Sequence, residues 1–421
     1  MYNKMNRTEL EALHAILTEE YKAAKEKDLK LDMSRGKPNP RQLDFSDGMS
    51  GMPWGKEDYI SSGGDVRNYG MLSGIPEARK LFADLFEVSP QNVIVGGNSS
   101  LNLMFDAVSR AYTKGIMGNT PWSKLDKVKF LCPVPGYDRH FAVTEYFGVE
   151  MINIPMNEEG PDMALVRERA ESDEAVKGIW CVPKYSNPGG VTYSDRVVKE
   201  FAALSPRAAD FRIFWDNAYY AHDIFAEDSL LNIITECEAA GKPDMVYEFA
   251  STAKITYAGG GVSVIIASEA NIKDIEKSIF YQTISYDKVN QMRHARFLKN
   301  PENIREHMKR HASLLAPKFR AVLEGLDKNF AGLGIAGWTK PNGGYFISVD
   351  LTEGTAKETV RLCKEAGLAL TGAGATFPYG RDPKDSNIRI APTYPSPEEL
   401  AAAIDLFCLC AKLAAVEKLL A

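Results

Sequence analysis

The stretch DMVYEFASTAKITYAGGGVSVIIAS, residues 244–268, sets the terms for reading the whole chain. Two apolar runs flank a lysine, Lys254, which has a Ser-Thr pair before it and three glycines after it. Continuous apolar runs of this length are what strands buried on both faces look like. The segment between them is too short for a helical crossover, so the two runs are either joined antiparallel or are not sheet neighbours. Taken alone, Lys254 reads as an ordinary charge beside a loop. The residues at the ends of the other apolar runs decide whether it is more.

Working outward, similar runs recur as NVIVGG (92–97), KVKFLCPVPG (127–136), VEMINIP (149–155), KGIWCVP (177–183) and FRIFWDNA (211–218). Most are separated by segments with helical character, such as SLNLMFDAVSRAY and YSDRVVKEFAALS. Strands alternating with helices predict an α/β fold whose mostly parallel sheet is covered on both faces. After about residue 300 the rhythm changes to a long helical stretch, strand-like GIAGWTKPNGGYFISVDL and NIRIAPTY, and a closing helix. These features predict a large domain over 49–300 and a small C-terminal α+β domain over 301–421. The N-terminal segment, 1–48, is assigned to the small domain; it runs as a helix to about Lys27 and then as irregular LDMSRGKPNPRQLDFSDGM.

Composition narrows the function classes. The chain has 421 residues, 45% hydrophobic and 25% charged, enough for a large core and more than one domain. A net charge of −6 with no basic tract gives no electrostatic case for nucleic acid. The six cysteines are scattered without a CxxC pair, so neither a disulfide framework nor a metal site is expected. No secretory h-region and no 18-residue apolar run occur, which predicts a cytoplasmic protein with no membrane partner.

In open α/β sheets, ligands bind beyond the carboxyl ends of the strands. The first run is followed there by Asn98, Ser99 and Ser100 opening a helix, either a simple cap or a phosphate cradle. Next come Tyr137 on a turn, Asn187 in an Asn-Pro-Gly-Gly turn, and Asp216 with Tyr219 three residues on. Lys254 completes the series, three residues after Ser251. Each signal is weak, but together they suit pyridoxal 5'-phosphate. That cofactor needs a lysine for its aldehyde, an acid for its ring nitrogen, a stacking aromatic and an anion site.

The ordered set Tyr69, Asn187-Pro-Gly, Asp216-x-x-Tyr219, Ser251-x-x-Lys254 and Arg389 resembles the fold type I PLP-dependent aminotransferases, over nearly the whole chain. LDMSRGKP, RNYG and DKVNQMRH are similar in particular to segments of the bacterial class Ic aspartate aminotransferases. The resemblance implies a seven-stranded, mostly parallel sheet and a PLP-dependent transamination between L-aspartate and 2-oxoglutarate. It implies that Lys254 carries the cofactor and later shuttles the proton, that Asp216 pairs with the ring nitrogen, and that Asn187 and Tyr219 flank the ring hydroxyl. Tyr137 would stack on the ring, and Asn98, Ser99, Ser100 and Ser251 would surround the phosphate. Arg389 would grip the substrate α-carboxylate. Tyr69 would reach the partner subunit's phosphate in a homodimer with shared active sites.

One departure stands out: Val262 occupies the position where many relatives keep a phosphate-binding arginine, with Ser263 beside it as a candidate replacement. For the distal carboxylate of a dicarboxylic substrate, the candidate cations are Arg35, Lys37, Lys288 and Arg293. Gly36 resembles the glycine lining the substrate cleft, which favours its neighbour Arg35. The alternatives within the fold are an aromatic or broad-range aminotransferase and a carbon–sulfur lyase. A PLP-sensing transcriptional regulator is disfavoured, because fewer than 40 residues precede the cleft segment and the net charge is acidic.

Overall fold

The computed structural model describes residues 1–421. The large sheet is built from β1 (Val93–Val95), β2 (Lys129–Val134), β3 (Glu150–Asn157), β4 (Gly160–Pro161), β5 (Val176–Cys181), β6 (Arg212–Asp216), β7 (Val246–Ser251) and β8 (Ser263–Ile266). Their spatial order is β1-β8-β7-β6-β5-β2-β3-β4. The two runs of the opening stretch, β7 and β8, are antiparallel neighbours, and β8 is also antiparallel to β1. From β7 through β3 all pairings are parallel. The sheet is thus the expected seven strands plus a two-residue edge strand, β4, which folds back on β3.

The apolar runs are unbroken because both faces of the sheet are covered. Every residue of β5 and β6 is buried. Val95, Ile179, Ile213 and Trp215 share one core with helices 76–86, 163–172, 195–203 and 233–239. Ile94, Phe130, Trp180, Phe214 and Phe249 face the other way, against helices 100–114, 138–146 and 269–282. Because β1, β2, β5, β6 and β7 run the same way, the residues that follow them collect at one edge.

A separate core gathers both ends of the chain. Leu10, Leu17 and Tyr21 of helix Arg7–Lys25 pack with residues of helices Pro301–Phe330 and Pro397–Leu420. Against them lies the antiparallel sheet β9 (Ala336–Trp338), β10 (Ile347–Leu351) and β11 (Asn387–Ile390), in that order. Leu31–Asp32 pairs in parallel with Leu368–Ala369, tying the N-terminal segment to this unit. The last helix begins with a Ser396–Glu399 capping box and is buried nearly all round, which accounts for its lack of a polar face. No helix is long and apolar enough to cross a membrane. All six cysteines are buried and unbonded.

Candidate active site

Lys254 leaves the turn that follows β7, and its Nζ lies over two aromatic rings. The Tyr219 centroid is 4.8 Å away and that of Tyr345 is 5.9 Å away. Burial lowers the lysine pKa, and the nearby Asp216 carboxylate opposes that shift. Tyr345, which the sequence reading missed, is 1% exposed and its hydroxyl accepts a hydrogen bond from Gln42 Nε2 at 3.1 Å. His222 Nε2 reaches the Lys254 carbonyl at 3.4 Å.

Asp216, the last residue of β6, is 2% exposed. Its Oδ2 pairs with His140 Nε2 at 2.9 Å, while Oδ1 is buried with no partner. His140 is stacked on Trp180, with centroids 4.5 Å apart and planes at 13°, and meets the Tyr137 ring edge-on at 4.9 Å. These contacts lock the imidazole and aim it at the carboxylate. His140 was also missed by the sequence reading, although it lies one helical turn after Tyr137 and that spacing places both at the same strand end. Burial raises the pKa of both Tyr137 and Tyr219, keeping them phenolic.

On the substrate side, Arg389 sits in β11 at 8% exposure. Its Nη1 donates to Asp138 Oδ1 at 2.8 Å and to Asn187 Oδ1 at 3.3 Å. Nη2 only reaches Thr371 Oγ1 at 3.4 Å, and Nε has no partner at all. The guanidinium therefore keeps donor capacity for another carboxylate. Its flat face rests on the Phe346 ring at 4.9 Å. A Cβ on Gly36 would come within 2.4 Å of that same ring, so the residue beside Arg35 must be glycine for the N-terminal segment to lie this close.

At the anion end, Ser99 is the N-cap of helix 100–114 but makes no capping bond with its side chain. The free N–H groups of that first turn, with two unengaged serines, form a ready anion site. Val262 is buried in the core, and its N–H donates to Thr252 Oγ1 at 3.0 Å. Ser263 does not supply the expected free hydroxyl. Its Oγ donates to the Gly97 carbonyl at 2.8 Å, and its N–H does so at 2.7 Å, so it orients the loop leading to Ser99 instead. Ser251 stands opposite Ser263 in the β7–β8 register and so reaches the same edge.

The DKVNQMRH segment proves to be scaffold. Lys288 is 3% exposed and donates to the carbonyls of Asn68 and Gly70, at 2.5 and 2.9 Å. It is thereby withdrawn from the candidates for a distal carboxylate. Asn290 Nδ2 donates at 3.0 Å to both Gly260 and Gly261, clamping the glycine run after Lys254. Lys37 lies over the Tyr394 ring at 3.9 Å. Arg35 is exposed, Arg293 is half-buried and neither makes an ion pair. Tyr69 and Asn98 are also exposed, Tyr69 at 78%, and do not join the buried group within one chain.

The chain is similar to known proteins over nearly its whole length. The aspartate amino-transferase family model matches residues 5–421. An aspartate aminotransferase of Corynebacterium glutamicum is 48% identical over 410 residues, covering 96% of this chain and 94% of its own. A protein of Mycolicibacterium smegmatis named as an aminotransferase is 47% identical over 425 residues, covering 100% of this chain and 99% of its own. The crystal structure of an aspartate transaminase from Corynebacterium glutamicum superposes with a TM-score of 0.96 at 46% identity, over 99% of both chains. Aminotransferases of this fold use pyridoxal 5'-phosphate, and the free Asp216 oxygen and helix N-terminus suit that cofactor's ring nitrogen and phosphate. The chain belongs to the aspartate aminotransferase family and is an aminotransferase.

Proposed function

We propose that the reaction is transamination between L-aspartate and 2-oxoglutarate in two successive half-reactions, with pyridoxal 5'-phosphate held at Lys254. The observation that carries this reading is Asp216, buried, with one oxygen on His140 and the other unpartnered beside Lys254. A carboxylate oxygen this deep requires a positive charge or an N–H donor. When bound, pyridoxal 5'-phosphate supplies an aldehyde for the incoming amine and a protonated ring that withdraws electrons from the substrate α-carbon.

The chain's own residues do the rest. Lys254 would hold the cofactor's aldehyde carbon, and its amine, when free, would take the substrate α-proton. Burial favours the neutral amine that this transfer needs. Asp216, oriented by His140, would pair with the ring nitrogen. Asn187 and Tyr219 would hydrogen-bond the ring hydroxyl, and Tyr137 would cover a ring face. Ser99, Ser100, Asn98 and Ser251 would hold the phosphate at the start of helix 100–114, with no arginine from position 262. Arg389 takes the α-carboxylate. The exposure of Tyr69, on a loop whose flanking carbonyls Lys288 binds, supports a homodimer in which this tyrosine enters the partner's site.

The purified protein should show a visible absorption band that L-aspartate removes and 2-oxoglutarate restores. A colourless protein that stays colourless with added cofactor would overturn the reading. A band discharged by cysteine conjugates or phenylalanine, but not by aspartate, would favour the lyase or aromatic alternative.

Arg35 is the residue we assign to the distal carboxylate. Gly36 packs on Phe346, and Phe346 packs on Arg389, so Arg35 stands at the same cleft while remaining unpaired. Arg35→Ala is expected to raise KM for aspartate about 10- to 100-fold, as for loss of a charge-assisted contact of about 1.5–3 kcal/mol. KM for alanine should change little. Equal changes for both substrates would reject the assignment.

A further inference from the structure

Lys254 stands in a single helical turn, in which the N–H groups of Ile255 and Thr256 both donate to the Thr252 carbonyl at 2.8 Å. The turn does not continue, so the carbonyls of Lys254 and Ile255 receive no backbone donor. Histidines supply the donors instead. His222 Nε2 meets the Lys254 carbonyl at 3.4 Å, and His307 Nε2 meets the Ile255 carbonyl at 2.8 Å. His311 follows one turn along helix 301–330, with its Nε2 3.2 Å from that of His307 and the Ile255 backbone as a further partner. His294, in helix Lys288–Leu298, meets the Thr256 hydroxyl at 3.0 Å. With His140 on Asp216, five of the six histidines of the chain touch the lysine turn or its acid partner, a concentration that packing alone does not require.

The other ring nitrogens decide where each proton sits. Arg310 Nη2 donates to His307 Nδ1, which leaves the His307 proton on Nε2, toward Ile255. Gln42 Oε1 accepts from the Asn39 N–H and Nδ2 at 3.1 and 3.0 Å. Gln42 therefore presents Nε2 to His311 Nδ1 at 3.2 Å, and the His311 proton is on Nε2 as well. The Ile255 carbonyl, with two lone pairs, serves both imidazoles. His294 works the other way: Nδ1 donates to the Asn290 carbonyl at 2.8 Å, so Nε2 accepts from Thr256.

Aromatic neighbours hold these rings in place. Phe297 meets His307 edge-on at 5.5 Å and Phe45 meets His311 at 5.2 Å. His222 lies edge-on to Tyr219 and Tyr345, each at 5.5 Å. Gln42 closes the capping box begun by Asn39, so the segment that carries Arg35 is tied to the same cluster.

We propose that His222, His307 and His311 are positioning residues, which hold the Lys254 and Ile255 carbonyls and so fix the direction in which the Lys254 side chain leaves its turn. This rests on Lys254 being the cofactor lysine, as proposed above. A buried carbonyl that loses its donor is strongly disfavoured, and the turn can relieve it only by rotating, which carries Lys254 along. A displacement of about 1 Å is enough to slow a positioned reaction roughly a hundredfold.

An imidazole suits this task because it donates an N–H without carrying charge. Burial lowers the pKa of His222 and His307, and brings that of His294 to about 4 and that of His311 to about 3. Lys254 and Lys184 facing His222, and Arg310 facing His307 and His311, push the same way. Arg293 does so for His294, with Asp287 and the Asn290 carbonyl opposing. The turn is thus held by neutral donors, and no added positive charge opposes protonation of Lys254.

The test adds pyridoxal 5'-phosphate to the cofactor-free chain and follows the growth of the visible band by stopped flow. His307→Phe keeps a ring without nitrogens and should slow the band by about ten- to a hundredfold. In the loaded enzyme it should lower kcat with L-aspartate while KM stays within about threefold. His307→Gln, whose amide N–H replaces that of Nε2, should recover most of both rates. Leu326→Ala, about five turns further along the same helix and in the other core, should lower the melting temperature and leave the band's growth unchanged. Growth at the wild-type rate in His307→Phe, no recovery in His307→Gln, or equal slowing in Leu326→Ala would each overturn the inference. Should His307→Phe fail to fold, His311→Phe and His311→Gln make the same comparison. A wild-type chain that never gains the band would overturn the assignment of Lys254, and this inference with it.

Discussion

Lys254→Ala is expected to slow amino-group transfer by on the order of 10⁴-fold, the upper end of what one positioned proton-transfer group contributes. Single-turnover absorbance changes with L-aspartate measure this directly. The same substitution should leave the cofactor-free protein at least as stable as the wild type. In the free chain Nζ only overlies the rings of Tyr219 and Tyr345, and it makes no hydrogen bond or ion pair. Folding lowers the pKa of Lys254 through burial, although Asp216 offsets part of the effect.

The sign follows from linkage. A lysine with a lowered folded pKa binds its proton less well in the folded chain than in the unfolded one. Its cost to stability is therefore full at pH values below the folded pKa and fades as pH rises to the ordinary lysine value. The alanine variant should melt at or above the wild-type temperature at neutral pH, and the difference should shrink in alkali. A residue kept at some cost to stability is what a functional role predicts. A variant that melts markedly lower at neutral pH, or turns over within tenfold of wild type, would reject the assignment of Lys254.

The second large effect concerns Asp216. Asp216→Asn keeps the shape and can still accept from His140, but it removes the charge next to the unpartnered position. Breaking a buried charge pairing costs about 3–5 kcal/mol, which corresponds to a loss of roughly 10²- to 10⁴-fold in turnover. Cofactor should still attach through Lys254. The variant should also lower the Lys254 pKa further, because the Asp216 carboxylate is what raises it. Reductive methylation of the cofactor-free protein, read by mass spectrometry across pH, reports that shift. Turnover unchanged by the substitution would remove Asp216 from the mechanism, whatever the lysine titration shows.

Much of the site was legible because the fold is parallel. Once apolar runs at 92–97, 127–136, 177–183, 211–218 and 244–251 read as parallel strands, the residues just after them had to share an edge. Asp216, Lys254, Asn187 and Tyr137 became candidates by that rule alone. Arg389 was not, since its strand belongs to the other sheet and only resemblance singled it out. Its contacts with Asp138 and Asn187 cross between the two cores and have no signature in spacing. His140 and Tyr345 escaped for a related reason. Each acts through packing, on Trp180 in one case and beside Lys254 in the other, and packing partners far apart in sequence leave no local pattern.

The charged residues of DKVNQMRH show the limit from the other side. As sequence, Lys288 is one more cation near a cleft. In the folded chain it is buried against the carbonyls of Asn68 and Gly70 and holds the Tyr69 loop. Ser263 likewise looked like a free phosphate donor and is committed to Gly97. Hydrophobic periodicity is a local property that every strand and helix carries in its own residues, so the sequence by itself determined the α/β fold and the edge where the chemistry gathers. Which polar atoms remain free at that edge depends on partners brought in from 30 to 303 residues away. Only the tertiary structure decides that, because a donor's availability is set by what packs against it.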